Sequence, residues 1–112
     1  MFMKKLVSGL FAVISMSSVM AWPDKPVALV VPFPPGGSTD LIARALAPKL
    51  QERLGGSFII ENKAGATGTI GAGMVTRAAP DGHTLFVSSL GPFVIAPHLI
   101  AKVPYDALKD FD

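Results

Sequence analysis

Two short segments carry the residue types and spacing that could do chemistry. Gly36-Gly37-Ser38-Thr39 and Gly65-Ala66-Thr67-Gly68-Thr69 each set glycines and hydroxyls before a stretch with helical pattern. Unpaired N–H groups at a helix start favour an anion, and glycines let a ligand approach the backbone. The same residues also read as plain caps, Ser38 or Thr39 for the first helix and Thr67 or Thr69 for the second. Neither segment brings in a Lys or Arg, and Lys63 reads as a solvated loop lysine. Paired neutral donors suit a carboxylate better than a triphosphate, and the Gly-Lys-Ser/Thr ending of a Walker loop is absent. Asp40 complicates an anion site, because it weakens attraction for a second negative charge. Phe33 could pack against a ligand or wedge beneath Pro34 and Pro35.

No catalytic constellation emerges. Ser38 lacks the G-x-S-x-G elbow, and no histidine or carboxylate is placed to activate it. His83 and His98 read as surface or structural residues. They are too far apart in sequence to suggest a metal site, and the absence of cysteine excludes disulfides and thiolate ligands. No cofactor is expected. Gly65 to Gly71 does resemble the Gly-rich turn of nucleotide-binding reductases. There, however, the first glycine follows its strand almost directly, and an acidic or basic residue ends the next strand. Here Asn62-Lys63-Ala64 intervene, and the next strand ends in Ser88-Ser89.

The elements that must position these loops are legible from pattern. Val27 to Val31 is an unbroken apolar run bounded by Pro26 and Pro32, the signature of a strand buried on both faces. The Pro- and Gly-rich stretch 32–38 is a loop. A helix is expected over 39–54, with Ile42, Leu46, Leu50 and Leu54 as its core stripe, widened by Leu41 and Ala45. Gly55-Gly56 ends it, and Pro48 predicts a kink or local break. A second strand is expected at 57–61, a loop at 62–69, a helix at 70–79 and a third strand at 84–88. Pro80-Asp81-Gly82 makes the turn before that strand. Ser88 to Pro92 forms a third small-residue loop, followed by a short helix over 94–101 interrupted at Pro97. The order is βαβαβ, which implies a parallel sheet with right-handed crossovers. All three loops then leave its carboxyl edge, where open α/β sheets bind ligands. Phe33, Pro34, Pro35, Gly36, Gly37, Ser38, Thr39, Ala66, Thr67, Gly68, Thr69 and Ser89 are the expected ligand-binding residues.

The 112 residues allow one ordinary domain at most, and half of them are hydrophobic. Residues 1–21 have the form of a cleaved secretory leader: Lys4 and Lys5, an apolar run from Leu6 to Ile14, and Val19-Met20-Ala21 before the cut. That run is too short for a membrane anchor, so residues 22–112 are expected outside the cytoplasm with no membrane insertion. Without the leader, eight basic residues balance eight acidic ones. The basic pI of about 9.2 therefore gives no reason to expect nucleic-acid binding.

Several stretches together resemble one family. They are Val31-Pro32-Phe33-Pro34-Pro35-Gly36-Gly37-Ser38-Thr39-Asp40, Glu61-Asn62-Lys63, Gly65-Ala66 with Gly68 and Ile70-Gly71, Ala78-Ala79-Pro80-Asp81-Gly82-His83-Thr84-Leu85, and Pro104-Tyr105-Asp106. This set is similar to the solute receptors of tripartite tricarboxylate transporters, the Bug proteins, which usually have Tyr where this chain has His83. The resemblance implies a partial first lobe of a type II periplasmic binding protein. It implies a small carboxylate held largely by backbone N–H groups and ordered water at the loops after the first two strands. It also implies a membrane transporter as partner and the periplasm as location. By the same resemblance Asp112 falls inside the first lobe of a longer receptor. Two alternatives stand beside this reading: a non-functional remnant of such a receptor, and an NADP-dependent reductase-like nucleotide-binding domain.

Overall fold

A computed structural model describes residues 20–112. The leader expected at 1–21 thus lies almost wholly outside the described residues, and only Met20 and Ala21, both exposed, fall inside them. Five main elements follow in order: β1 (Val27–Val31), α1 (Ser38–Leu54), β2 (Phe58–Asn62), α2 (Thr69–Arg77) and β3 (Thr84–Phe86). A 3-10 turn at Ala66–Gly68 leads into α2, and a π-turn at Gly91–Ile95 leads into the one-turn helix α3 (Ala96–Leu99).

The three strands form one parallel sheet in the order β2-β1-β3. Val27 pairs with Phe58 and Val31 with Asn62, while Ala28 pairs with Thr84 and Val30 with Phe86. The expected α/β class and parallel βαβαβ unit are therefore present. With right-handed crossovers, stepping one way from β1 to β2 and the other way from β2 to β3 puts α1 and α2 on opposite faces. Burial of Val27, Leu29, Val30 and Val31 agrees, since a strand so placed is covered on both sides. Val27, Leu29, Ala47 and Phe58 form the core, with Leu50, Ile60, Leu85 and Val87 packed against it.

Helix α1 buries a different face from the one its leucines predict. Thr39, Asp40, Ala43 and Ala47 are buried, whereas Leu41, Ile42, Leu46 and Leu54 are each more than 40% exposed. The small side chains of Ala43 and Ala47 face the sheet and bring the helix close to the strands; of the expected stripe Leu50 packs against the core, and the other large residues lie outside. The helix also runs through Pro48 without a break. Pro48 is exposed, so water can take the carbonyl that loses its partner there. The other differences are at boundaries. Helix α2 ends at Arg77, regular pairing of β3 ends at Phe86 with one further bond from the Val87 N–H to the Val30 carbonyl, and the last helical segment starts near Leu90 instead of 94.

His83 is structural. It is 9% exposed, and its N–H bonds the Asp81 carboxylate at 3.1 Å. Its Nε2 lies 2.8 Å from Asp24 Oδ1 without hydrogen-bond alignment. Trp22 covers this turn, donating to the Gly82 carbonyl at 3.2 Å, and Lys25 pairs with Asp81 at 2.8 Å. His98 is exposed.

Candidate functional site

The three loops meet at the carboxyl edge of the sheet. Pro32, directly after β1, is buried. A Cβ added to Gly68 of the second loop would stand 3.4 Å from Pro32 Cβ and 3.2 Å from Pro92 Cδ of the third loop. One added to Gly91 would stand 3.3 Å from the Thr67 carbonyl oxygen and 3.7 Å from the Phe33 ring. At Gly68 a φ of 86° favours glycine as well, and at Gly91 a side chain would crowd the Thr67 backbone carbonyl. Phe33 is half-buried within this junction, and Pro34 to Ser38, Ala66, Thr67 and Ser89 are exposed around it. Thr39, Gly68 and Thr69 are buried.

In the first loop Gly37, not Ser38 or Thr39, caps α1, and no side chain bonds the helix start. The first intrahelical bond runs from the Leu41 N–H to the Gly37 carbonyl at 3.0 Å. The N–H groups of Gly37, Ser38 and Thr39 precede that bond and have no partner within the helix. They sit at the positive end of a 17-residue helix.

Asp40 does not present its charge to this space. Its side chain is 2% exposed, and Oδ2 accepts the Gly36 N–H at 2.8 Å and Arg44 Nε at 2.9 Å. Oδ1 accepts Asn62 Nδ2 at 2.9 Å. The Gly36 N–H foremost, then Asn62 and Arg44, hold the carboxyl at about 2, below its ordinary 3.8. The same Asn62 nitrogen also donates to the Phe33 carbonyl at 3.2 Å, and Asn62 Oδ1 accepts Arg44 Nη2 at 3.2 Å. Arg44 and Asn62 were missed in the sequence. The i,i+4 spacing of Asp40 and Arg44 was the available signal; Asn62 gave none beyond its place at a strand end.

The second loop is a left-handed turn. Gly65, Ala66, Thr67 and Gly68 all have positive φ, at 129°, 48°, 57° and 86°. The expected threonine caps are absent here too, since Gly68 caps α2. Thr69 donates its N–H and its hydroxyl to the Ala66 carbonyl, and the Gly68 N–H bonds the Gly65 carbonyl. Those two N–H groups are thus consumed within the turn. Non-glycine residues in this region store strain of about 1–2 kcal/mol each, a feature concentrated at functional sites. The third loop is pinned from below by Tyr105, whose hydroxyl donates to the Pro92 carbonyl. Tyr105, Phe86 and Phe93 all pack on Phe111.

A separate cavity of about 550 Å³ lies beside β3, lined by residues such as Leu46, Leu50, Val75, Leu85 and Phe111. It is mainly apolar, with Asp110 and Asp112 on its lining, and shares no residue with the three loops. Among the described residues no group of three or more His, Asp or Glu could hold a metal, and no helix is long and apolar enough to cross a membrane.

The profile of the family described as tripartite tricarboxylate transporter family receptor (TctC) matches residues 42–112. Protein BugT of Bordetella pertussis is 44% identical over 94 residues, covering 83% of this chain and 29% of BugT. The structure of MatC from Rhodopseudomonas palustris with bound malate matches with a TM-score of 0.75 and 46% identity, over 80% of this chain and 30% of MatC. That of R. palustris Rpa4515 with adipate matches with a TM-score of 0.75 and 38% identity, over 78% of this chain and 29% of Rpa4515. The chain thus spans less than a third of the length of these relatives.

Proposed function

The chain belongs to the tripartite tricarboxylate transporter receptor family, and from that premise we propose that it captures a small carboxylate at the mouth of its three loops. Receptors of this family are periplasmic solute-binding proteins. The observation that carries the reading is the trio of N–H groups at Gly37, Ser38 and Thr39, left without helical partners at the start of α1. They supply neutral donors aligned with a helix dipole, which suit one carboxylate group. The ligand is held by hydrogen bonds and released unchanged, so no nucleophile or acid–base pair is required. The N–H groups of Ala66 and Thr67 complete the donor set from the second loop, with Phe33 and Ser89 at its margin. Residues 1–21 direct export, residues 22–112 form part of a binding lobe, and the membrane subunits of a tripartite transporter receive the ligand.

The test is a titration of the 15N-labelled chain with malate, adipate, citrate, succinate, glutamate and NADPH. A carboxylate should shift the amide signals of Gly37, Ser38 and Thr39. NADPH shifting the same amides would favour the reductase reading. A folded chain answering none of them into the tens of millimolar would favour the remnant. Ser38→Ala should change affinity less than tenfold, the equivalent of ~1.4 kcal/mol, because its hydroxyl makes no cap and only its N–H is invoked.

A further inference from the structure

An aspartate directly after an anion-binding N–H trio is, by charge alone, an obstacle. The geometry around Asp40 gives it another part. Pro34 to Ser38 are exposed, a Cβ added at Gly36 would meet nothing within 4 Å, and one at Gly37 would meet only the Pro34 carbonyl at 3.6 Å. Packing therefore does not hold this stretch, and its two glycines are the residue type freest to reorient. Beyond the Leu41 N–H on the Gly37 carbonyl, what holds it is the bond from the Gly36 N–H to Asp40 Oδ2, at 2.8 Å. Asp40 is in turn fixed to the end of β2 through Asn62, which also grips the Phe33 carbonyl.

We propose that Asp40 is a positioning residue for the carboxylate site: it turns the Gly36 N–H inward, so that the next three N–H groups face the ligand, while Arg44 offsets its charge. This rests on the carboxylate reading above. Arg44 Nε and Gly36 N share one carboxylate oxygen, so the clamp and the charge partner act on the same atom. The clamp also excludes Gly36 from the donor set, because its N–H is already bonded.

The sign of one affinity change separates this role from its rivals. Asp40→Asn removes a negative charge beside an anion. If Asp40 positions the loop, malate and adipate affinity falls about tenfold or more despite that removal. If Asp40 only repels the ligand, affinity rises, and the proposal is overturned. If Asp40 is merely structural, the melting temperature falls while the affinity of the folded fraction is unchanged, which also overturns it. Hydrogen exchange provides a ligand-free readout. The Gly36 amide should be protected in the parent chain, exposed in Asp40→Asn and still protected in Arg44→Gln. Arg44→Gln should instead weaken malate binding in a salt-dependent way, since it leaves the clamp but unpairs the charge. Should Asp40→Asn fail to fold, Asn62→Ala tests the same tie from the other end, with the same expected loss of affinity. If the parent chain binds no probe, the carboxylate reading fails. An unprotected Gly36 amide would in that case overturn the clamp as well, and a protected one lost in Asp40→Asn would uphold it.

Discussion

Replacing Gly71 by alanine should destabilise the chain, although alanine is the better helix former. Gly71 lies in the first turn of α2, where its φ is not positive, so propensity alone favours Gly71→Ala by roughly 0.5–1 kcal/mol. Opposing this, the new Cβ would stand 2.8 Å from Pro32 Cβ, 3.0 Å from Pro32 Cα and 3.1 Å from the Lys63 carbonyl oxygen. Carbon atoms pack best at about 3.5–4.0 Å. The overlap falls on a buried proline ring and two stretches of backbone, none of which has a rotamer to give. Overpacking of this kind costs about 1–3 kcal/mol, so the net loss is on the order of 1–2 kcal/mol. For a domain of this size each kcal/mol lowers Tm by about 4–8 °C. Thermal melting followed by circular dichroism measures it, with Gly37→Ala as comparator. At Gly37 the added Cβ meets only a carbonyl oxygen at 3.6 Å, so the cost should be only that of alanine at a helix N-cap, below about 1 kcal/mol. A Gly71→Ala chain melting at or above the parent's temperature would show that helix propensity outweighs the close approach, and the reasoning would fail.

Three further outcomes follow. Ala66→Gly and Thr67→Gly should each raise stability by roughly 0.5–1 kcal/mol in urea melts, because positive φ at 48° and 57° strains a side chain and suits glycine. Tyr105→Phe should cost about 1–3 kcal/mol, since the buried Pro92 carbonyl loses its hydroxyl donor. Asp40 and Asp81 both titrate at about 2 in the folded chain; Asp81 is held there by the Lys25 ammonium and then by the His83 N–H. A carboxyl lowered on folding stabilises fully above its unfolded value and loses that contribution as pH falls through its folded one. Melting temperature should therefore drop between about pH 4 and pH 2, and Asp40→Asn should flatten part of that fall.

The strands were legible because their signals are local, and the parallel sheet because strands alternate with helices along the chain. An apolar run between Pro26 and Pro32 has few alternatives to a strand covered on both faces, and the observed β1 spans the same five residues. The buried face of α1 was not legible, because two stripes compete on that helix. One holds the large residues Ile42, Leu46 and Leu54, the other the small residues Ala43 and Ala47. Periodicity ranks stripes by hydrophobicity, whereas close packing on a sheet is decided by size as well. The caps were misjudged for a related reason. Ser38, Thr39, Thr67 and Thr69 have the right chemistry, yet glycine occupies both cap positions, with Gly68 at a φ of 86°. Convergence of the loops followed from topology alone. The part played by Asp40 did not, because it depends on Asn62, far off in sequence and brought near only by the pairing of Val31 with Asn62.

On the proposed reading, the first loop is a site made of backbone donors, and its contacts say how it is held. Its exposed stretch, Pro34 to Ser38, is proline, glycine and serine with little packed against its glycines. Its order is imposed by anchors on other elements: Gly71 of α2 against Pro32, Asn62 of β2 on the Phe33 carbonyl, and Asp40 of α1 on the Gly36 N–H. An N–H group cannot adjust by changing rotamer, so its aim is only as good as the backbone's position. Sensitivity to substitution should therefore move away from the side chains nearest the ligand and onto the anchors. Ser38→Ala should cost little, whereas changes at Asp40 and Gly71 should move the proposed donors. In such a site the residues that control binding are largely ones the ligand never touches.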